Sequence, residues 1–212
     1  MIIGNYDTKT DLGLIFLSQR IDTPEIKTYE AEIPSGDGKI DLTEFFGGVR
    51  FRNRNAEFVF AFRTDQLMMP IYDIRSTLHG KKLILRAEDE TDWYYIGRVN
   101  VSGPEWINRT DGRIIITCDC EPYKYRVQKT VVERTIGASG ALTVRLYNSR
   151  KPVIPKITTD GEITIQYGPN SHTISAGEYQ ITNLRLMEGY SDYNITGTLG
   201  TKIKIEYQEG AI

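Results

Sequence analysis

Residues 33–46 read IPSGDGKIDLTEFF, and two folds compete for them. Within this stretch, GDGKIDLTEF matches the middle of an EF-hand calcium loop. Such a loop takes oxygen ligands from positions 1, 3, 5, 7, 9 and 12 and needs Gly at position 6. With Gly38 at that position, Asp37, the Lys39 carbonyl, Asp41 and Glu44 occupy 5, 7, 9 and 12. Position 1 then falls on Ile33 and position 3 on Ser35, so the carboxylates that a hard cation needs at the loop start are missing.

The flanks weigh further against calcium. An EF-hand has a helix on each side. Before the loop, IKTYEAEI (26–33) alternates through Tyr29, Ala31 and Ile33. After it, Gly47 and Gly48 would stop a helix within a turn, and Phe58, Phe60 and Phe62 alternate with polar or small residues. Alternation with period two is a strand signal. Residues Pro34, Gly36, Asp37, Gly38 and Asp41 are therefore expected to form a structural turn between strands.

Working outward, the same alternation recurs along the chain. Expected strands include LGLIFL (12–17), EFVFAF (57–62), KKLILRAE (81–88), WYYIGRVNV (93–101) and RIIITCDCEPYKY (113–125). Others are KTVVERTI (129–136), ALTVRLYN (141–148), EITIQYG (162–168), HTISA (172–176), EYQITNLRL (178–186), YNITGTL (193–199) and KIKIEYQ (202–208). Their β-branched and aromatic content supports this. One helix stands out, MMPIYDIRSTLHG, with Pro70 at its start, Gly80 past its end, and Ile71, Ile74 and Leu78 on one face. It is expected to cover a sheet face. The fold class is thus mainly β. Near residue 125 the character changes, and beyond it tyrosine is the sole aromatic. Two domains follow, 1–128 of α+β type with one helix on a β-sandwich and 129–212 a small β-sandwich.

A net charge of -2 over 212 residues gives no basic excess for nucleic acid. No apolar run approaches the roughly 18 residues of a membrane span, and the N-terminal residues lack the pattern of a secretory signal. The two cysteines, Cys118 and Cys120, share one strand face and are expected as buried thiols in a reducing compartment. Neither histidine lies near them with zinc-ligand spacing. His79, just before Gly80, is expected as a cation at the helix end. GASGA (137–141) lacks the spacing of a nucleophile elbow. Glu88, Asp89 and Glu90 read as a charged turn. No catalytic, metal or cofactor-binding residue is nominated. WYY (93–95) puts Trp93 and Tyr95 on one strand face and Tyr94 on the other, as packing or contact area.

The order of these pieces resembles the distal tail protein family of long-tailed bacteriophages and prophages, also called the Dit or phage tail-component family. The resemblance rests on Leu12-Gly13-Leu14, the turn from Pro34 to Asp41, and the pair Asn53-Arg54. It continues through the helix to Gly80–Leu85, Tyr95-Ile96-Gly97-Arg98-Val99, and Cys120-Glu121-Pro122-Tyr123-Lys124-Tyr125. The C-terminal part adds Asn148 to Pro155, Met187 to Tyr193, Asn194-Ile195 and Ile205-Glu206-Tyr207. It covers nearly the whole chain. One departure is Ser35, where the family more often has Gly.

The resemblance implies a galectin-like C-terminal sandwich and a virion structural protein, made in the bacterial cytoplasm and located at the tail tip. The N-terminal domain would close a hexameric ring. That ring would join the tail tube protein to the tail-associated fibre or lysin protein, with receptor-binding proteins docked outside. DNA would pass through without being bound, and no enzyme activity is implied. Candidate contact residues are Phe45, Phe46, Trp93, Tyr94 and Tyr95. The competing reading is a carbohydrate-binding module recognising cell-surface glycans through the C-terminal sandwich; a hydrolase ranks last.

Overall fold

The computed structural model describes residues 1–45 and 47–212. The chain divides into two compact units, Met1–Lys124 with Ile212, and Tyr125–Ala211. It is mainly β.

In the first unit, short strands β1 (Ile2–Ile3) and β2 (Tyr6–Asp7) precede β3 (Ile15–Ile21). A hairpin of β4 (Glu30–Glu32) and β5 (Lys39–Asp41) leads to β6 (Arg54–Arg63) and helix α1 (Ile71–Leu78). Then come β7 (Lys82–Arg86), β8 (Trp93–Val101), β9 (Glu105–Trp106) and β10 (Asp111–Cys120), with β11 (Lys124–Arg126) at the boundary. The main sheet runs in the order β2-β1-β7-β8-β10-β6-β3.

Its centre is the antiparallel pair β6–β10, in unbroken register from Arg54↔Cys120 to Arg63↔Asp111. The alternation decides which side is buried. Phe58, Phe60 and Phe62 face inward beside Ile114, Ile116 and Cys118, in one core with the Ile71, Ile74 and Leu78 stripe of α1. Burying each such side chain stabilises by about 1.5–3 kcal/mol. The helix ends as its sequence signals, with the His79 N–H on the Arg75 carbonyl and Gly80 at φ +77°. Gly97 on β8 is required by close approach: a Cβ there would lie 2.4 Å from the Asp119 carbonyl and 2.5 Å from the Cys118 sulfur.

The second unit holds β12 (Thr130–Thr135), β13 (Ala141–Asn148), β14 (Lys156–Thr159), β15 (Ile163–Tyr167), β16 (Asn170–Ile174) and β17 (Gly177–Gln180). A 3₁₀ turn (Thr182–Leu184), β18 (Gly189–Gly197), β19 (Lys202–Tyr207) and β20 (Gly210–Ala211) complete it. Two four-stranded sheets, β12-β19-β14-β17 and β13-β18-β15-β16, share one core. Tyr193 lies fully buried in that core, and its hydroxyl donates to the Leu184 carbonyl. This satisfies a polar group that burial would otherwise penalise. Near the chain end, buried Glu209 accepts hydrogen bonds from Arg126, Thr130 and Ser149. Burial alone would raise its pKa, but these hydrogen bonds and the Arg126 charge outweigh burial and hold the carboxyl below its ordinary value.

Several strand boundaries differ from the sequence reading. LGLIFL becomes strand only from Ile15, because Leu12 and Leu14 fill the core from a turn. RIIITCDCEPYKY breaks at Pro122, which cannot donate to a ladder, into β10 and β11. EYQITNLRL is likewise not continuous. It leaves the sheet after Gln180, and the 3₁₀ turn buries Leu184.

Candidate functional site

The connection between the antiparallel neighbours β3 and β6 is an arm running from Asp22 to Asn53. Its stem is tied by Lys27 N–H to the Arg50 carbonyl, Arg52 N–H to the Glu25 carbonyl, and an Ile26–Phe51 bridge. Its outer part is the β4–β5 hairpin, paired Glu30↔Asp41, Ala31↔Ile40 and Glu32↔Lys39. The segments flanking the PSGDG turn (34–38) are therefore strands, and the EF-hand arrangement does not form.

Of the residues expected in the turn, Pro34, Gly36, Asp37 and Gly38 lie between β4 and β5, while Asp41 lies on β5, paired with Glu30. Gly36 N–H donates to the Ile33 carbonyl, and Gly38 sits at φ +82°, where a Cβ is strained. Ser35, the departure from the usual glycine, is left-handed at φ 61°, the single such non-glycine among the described residues. Pro34 and Asp37 are exposed at the tip. The Asp41 carboxylate accepts the Thr43 N–H at 2.8 Å, and the hydrogen bonds from Thr43 hold it below the usual range. It is a brace for the hairpin base. Among the described residues, no group of three His, Cys, Asp or Glu is placed to hold a metal.

The arm exposes several apolar side chains. Ile40 is 50% exposed and Phe45 76% exposed, with Ile26, Tyr29 and Ile33 also exposed. The strand from which the arm departs, β3, forms the end of the main sheet's path. A bulge between Phe16 and Ser18 sits in this strand, and Ile15 and Leu17 both point outward. Phe46 lies outside the described residues.

The remaining candidate contact residues lie elsewhere, on β8, and the structure separates their roles. Tyr95 is buried, 3% exposed, and its hydroxyl donates to Glu90 at 2.5 Å. Burial, then the Glu90 hydrogen bond, push its pKa well up, so the proton stays on. It belongs to the interior and is unsuited to contact. Trp93 and Tyr94 are half-buried. Lys124 bonds the other Glu90 oxygen at 2.6 Å, with its ammonium 5.5 Å from the Trp93 ring centroid. Arg54, also buried, lies 5.5 Å from the Tyr95 ring centroid and donates from Nε and a terminal nitrogen to the Pro122 carbonyl. Burial alone would raise the Glu90 pKa, but the hydrogen bonds from Lys124 and Tyr95 outweigh it and hold the carboxyl below its ordinary value.

This clamp joins three separated motifs: Asn53-Arg54, the Tyr95 strand, and the Pro122–Lys124 segment. Glu90, read from sequence as part of a charged turn, is its hub. Nothing in the local sequence marks it, because its partners lie at residues 95 and 124.

Two further expectations sharpen. Cys118 and Cys120 are free and buried, and the hydrogen bond between them followed by burial pushes the Cys118 thiol up, away from nucleophilic chemistry. The cation expected at His79 is corrected. Its Nδ1 accepts the Val101 N–H at 3.1 Å, which an imidazolium cannot do.

No family model matches the sequence, and no curated protein matches it. Among solved structures, the fold matches "Crystal Structure of SPP1 Dit (gp 19.1) Protein, a Paradigm of Hub Adsorption Apparatus in Gram-positive Infecting Phages". The TM-score is 0.56 at 15% identity, over 92% of this chain and 93% of that chain. The chain shares the fold of this hub protein over nearly the whole of both chains.

Proposed function

We propose that this chain is a structural protein of a phage tail tip, the hub that joins the tail tube to the adsorption machinery. The observation that carries this reading is the fold likeness to a hub adsorption protein over nearly the full length of both chains. The arm supports it. A two-stranded hairpin is marginal in water by itself, and exposed apolar side chains on such an element favour burial against a third surface. A ring needs a heterologous interface, one patch meeting a different patch on the next copy. The Ile40–Phe45 surface supplies one patch. The bulged β3 edge with Ile15 and Leu17 supplies a second, within the same unit.

On this reading residues 1–128 form the ring, hexameric in the family, and residues 129–212 are the galectin-like domain that faces outward. Trp93 and Tyr94 are secondary contacts and Tyr95 is internal. The partners are the tail tube protein on one face, the fibre or lysin protein on the other, and receptor-binding proteins outside. The protein resides in the virion tail and catalyses no reaction.

Light scattering and negative-stain electron microscopy of the full chain, alone and with the tube protein, test this. Closed rings are expected in at least one of these conditions, and Ile40→Arg should abolish them while leaving the thermal midpoint intact. A monomer under every condition, or rings indifferent to Ile40→Arg, would refute it.

A further inference from the structure

The outward side of the β13-β18-β15-β16 sheet carries a distinct chemistry. In register across β13 and β18, Tyr147 faces Tyr190, Arg145 faces Asp192, and Thr143 faces Asn194. Tyr190 is 74% exposed, and its ring centroid lies 5.1 Å from that of Tyr147. Arg145 grips Asp192 in bidentate fashion, with Nε at 2.8 Å from one oxygen and a terminal nitrogen at 2.9 Å from the other. The Arg145 guanidinium carbon sits 6.0 Å from the Tyr190 ring centroid. In the next row the Thr143 hydroxyl donates to the Asn194 side chain at 2.8 Å. Beyond Asn194 the register continues to Gln166, and the Thr164 and Thr173 hydroxyls share a 2.8 Å bond.

We propose that this face binds a neutral glycan, with a hexose ring stacked on Tyr190 and its hydroxyls on the Arg145–Asp192 pair and the Asn194–Gln166 row. A pyranose has an apolar C–H face and a rim of hydroxyls that both donate and accept. An exposed aromatic plane beside a planar charged pair presents the matching surfaces. The internal pairing holds donors and acceptors in place before a ligand arrives, which lowers the ordering cost of binding.

A protein partner fits the face less well. A protein interface needs an apolar centre within about 800 Å² on each side. On the strands of this sheet the large apolar-bodied side chains pointing outward are the two tyrosines, and the remaining rows carry the Arg145–Asp192 pair, hydroxyls, amides and the small Ala141. The proposal goes beyond the hub reading and stands whether or not the chain assembles into rings.

The test is saturation-transfer NMR on the full chain with methyl β-glucoside, methyl β-galactoside, N-acetylglucosamine and chitotriose, followed by titration of whichever responds. Transfer to ring C–H protons is expected for at least one probe, with Kd for a single sugar of about 1 mM. Tyr190→Ala should weaken it about tenfold, the size of one aromatic contact, and Tyr190→Phe should retain it. Asp192→Asn, which breaks the bidentate pair, should also weaken it. Lys204→Ala, on the other sheet, should leave it unchanged. Circular dichroism checks that each variant keeps its fold. Three outcomes overturn the proposal: no transfer from any probe, binding indifferent to Tyr190→Ala and Asp192→Asn, or binding lost in Lys204→Ala.

Discussion

The β4–β5 hairpin of the arm and the β6–β10 pair are both antiparallel, both in regular register, and both written in alternating residues. One buries its apolar side and the other exposes it. Phe58, Phe60 and Phe62 are buried in the core that α1 shares, whereas Ile33 and Ile40 are exposed. The same periodicity therefore produces a core in one place and a surface in the other. Alternation tells which side of a strand is apolar; only a second layer turns that side into an interior.

Four experiments probe this contrast. The largest effect is expected from Phe60→Ala, a fully buried residue, which should cost about 3–5 kcal/mol in denaturant unfolding. Ile40→Ala, half-exposed on the arm, should cost much less, about 0.5 kcal/mol, in the same measurement yet weaken assembly. If the two variants lose similar stability, Ile40 is packed and the hairpin is part of the core.

Arg54→Ala tests whether the clamp is part of the first unit's stability. It leaves the Pro122 carbonyl without its donors and should cost about 1–3 kcal/mol. A change confined to assembly, with unfolding unaffected, would move Arg54 from the interior role to a contact role.

Acid comes next. Glu90 and Glu209 are both held below the ordinary carboxyl pKa in the folded chain. Their contribution to stability is fully present above the unfolded pKa and is lost as pH falls through the depressed folded value. The stability gap between the native chain and Glu90→Gln should therefore be widest at neutral pH and shrink in acid. A gap that widens below pH 4.5 would contradict the sign of the shift.

The smallest effect belongs to the turn. Ser35→Gly relieves a left-handed backbone but gives the unfolded chain more freedom, so a net gain of about 0.5 kcal/mol or less is expected. Thermal midpoints with calcium and with chelator should coincide for both proteins. A calcium-dependent shift lost in Asp37→Ala would revive the calcium loop.

Much of this architecture was legible in residue order. Most strands, the helix between Pro70 and Gly80, the glycine turn, and the two cysteines on one face follow from local stereochemistry and period. Those signals act over a few residues, so the chain itself carries them. The clamp is different. Arg54, Glu90, Tyr95, Pro122 and Lys124 meet only because β6 and β8 both pair with β10, and no short-range pattern encodes such a meeting. The same holds for His79, whose lone pair is claimed by a strand residue far along the chain. It holds too for the Tyr190 face, where Tyr147, Arg145 and Thr143 find their partners only through the register of β13 on β18. Local preference chose the elements; cross-strand pairing and burial decided which side chains meet and which remain in water.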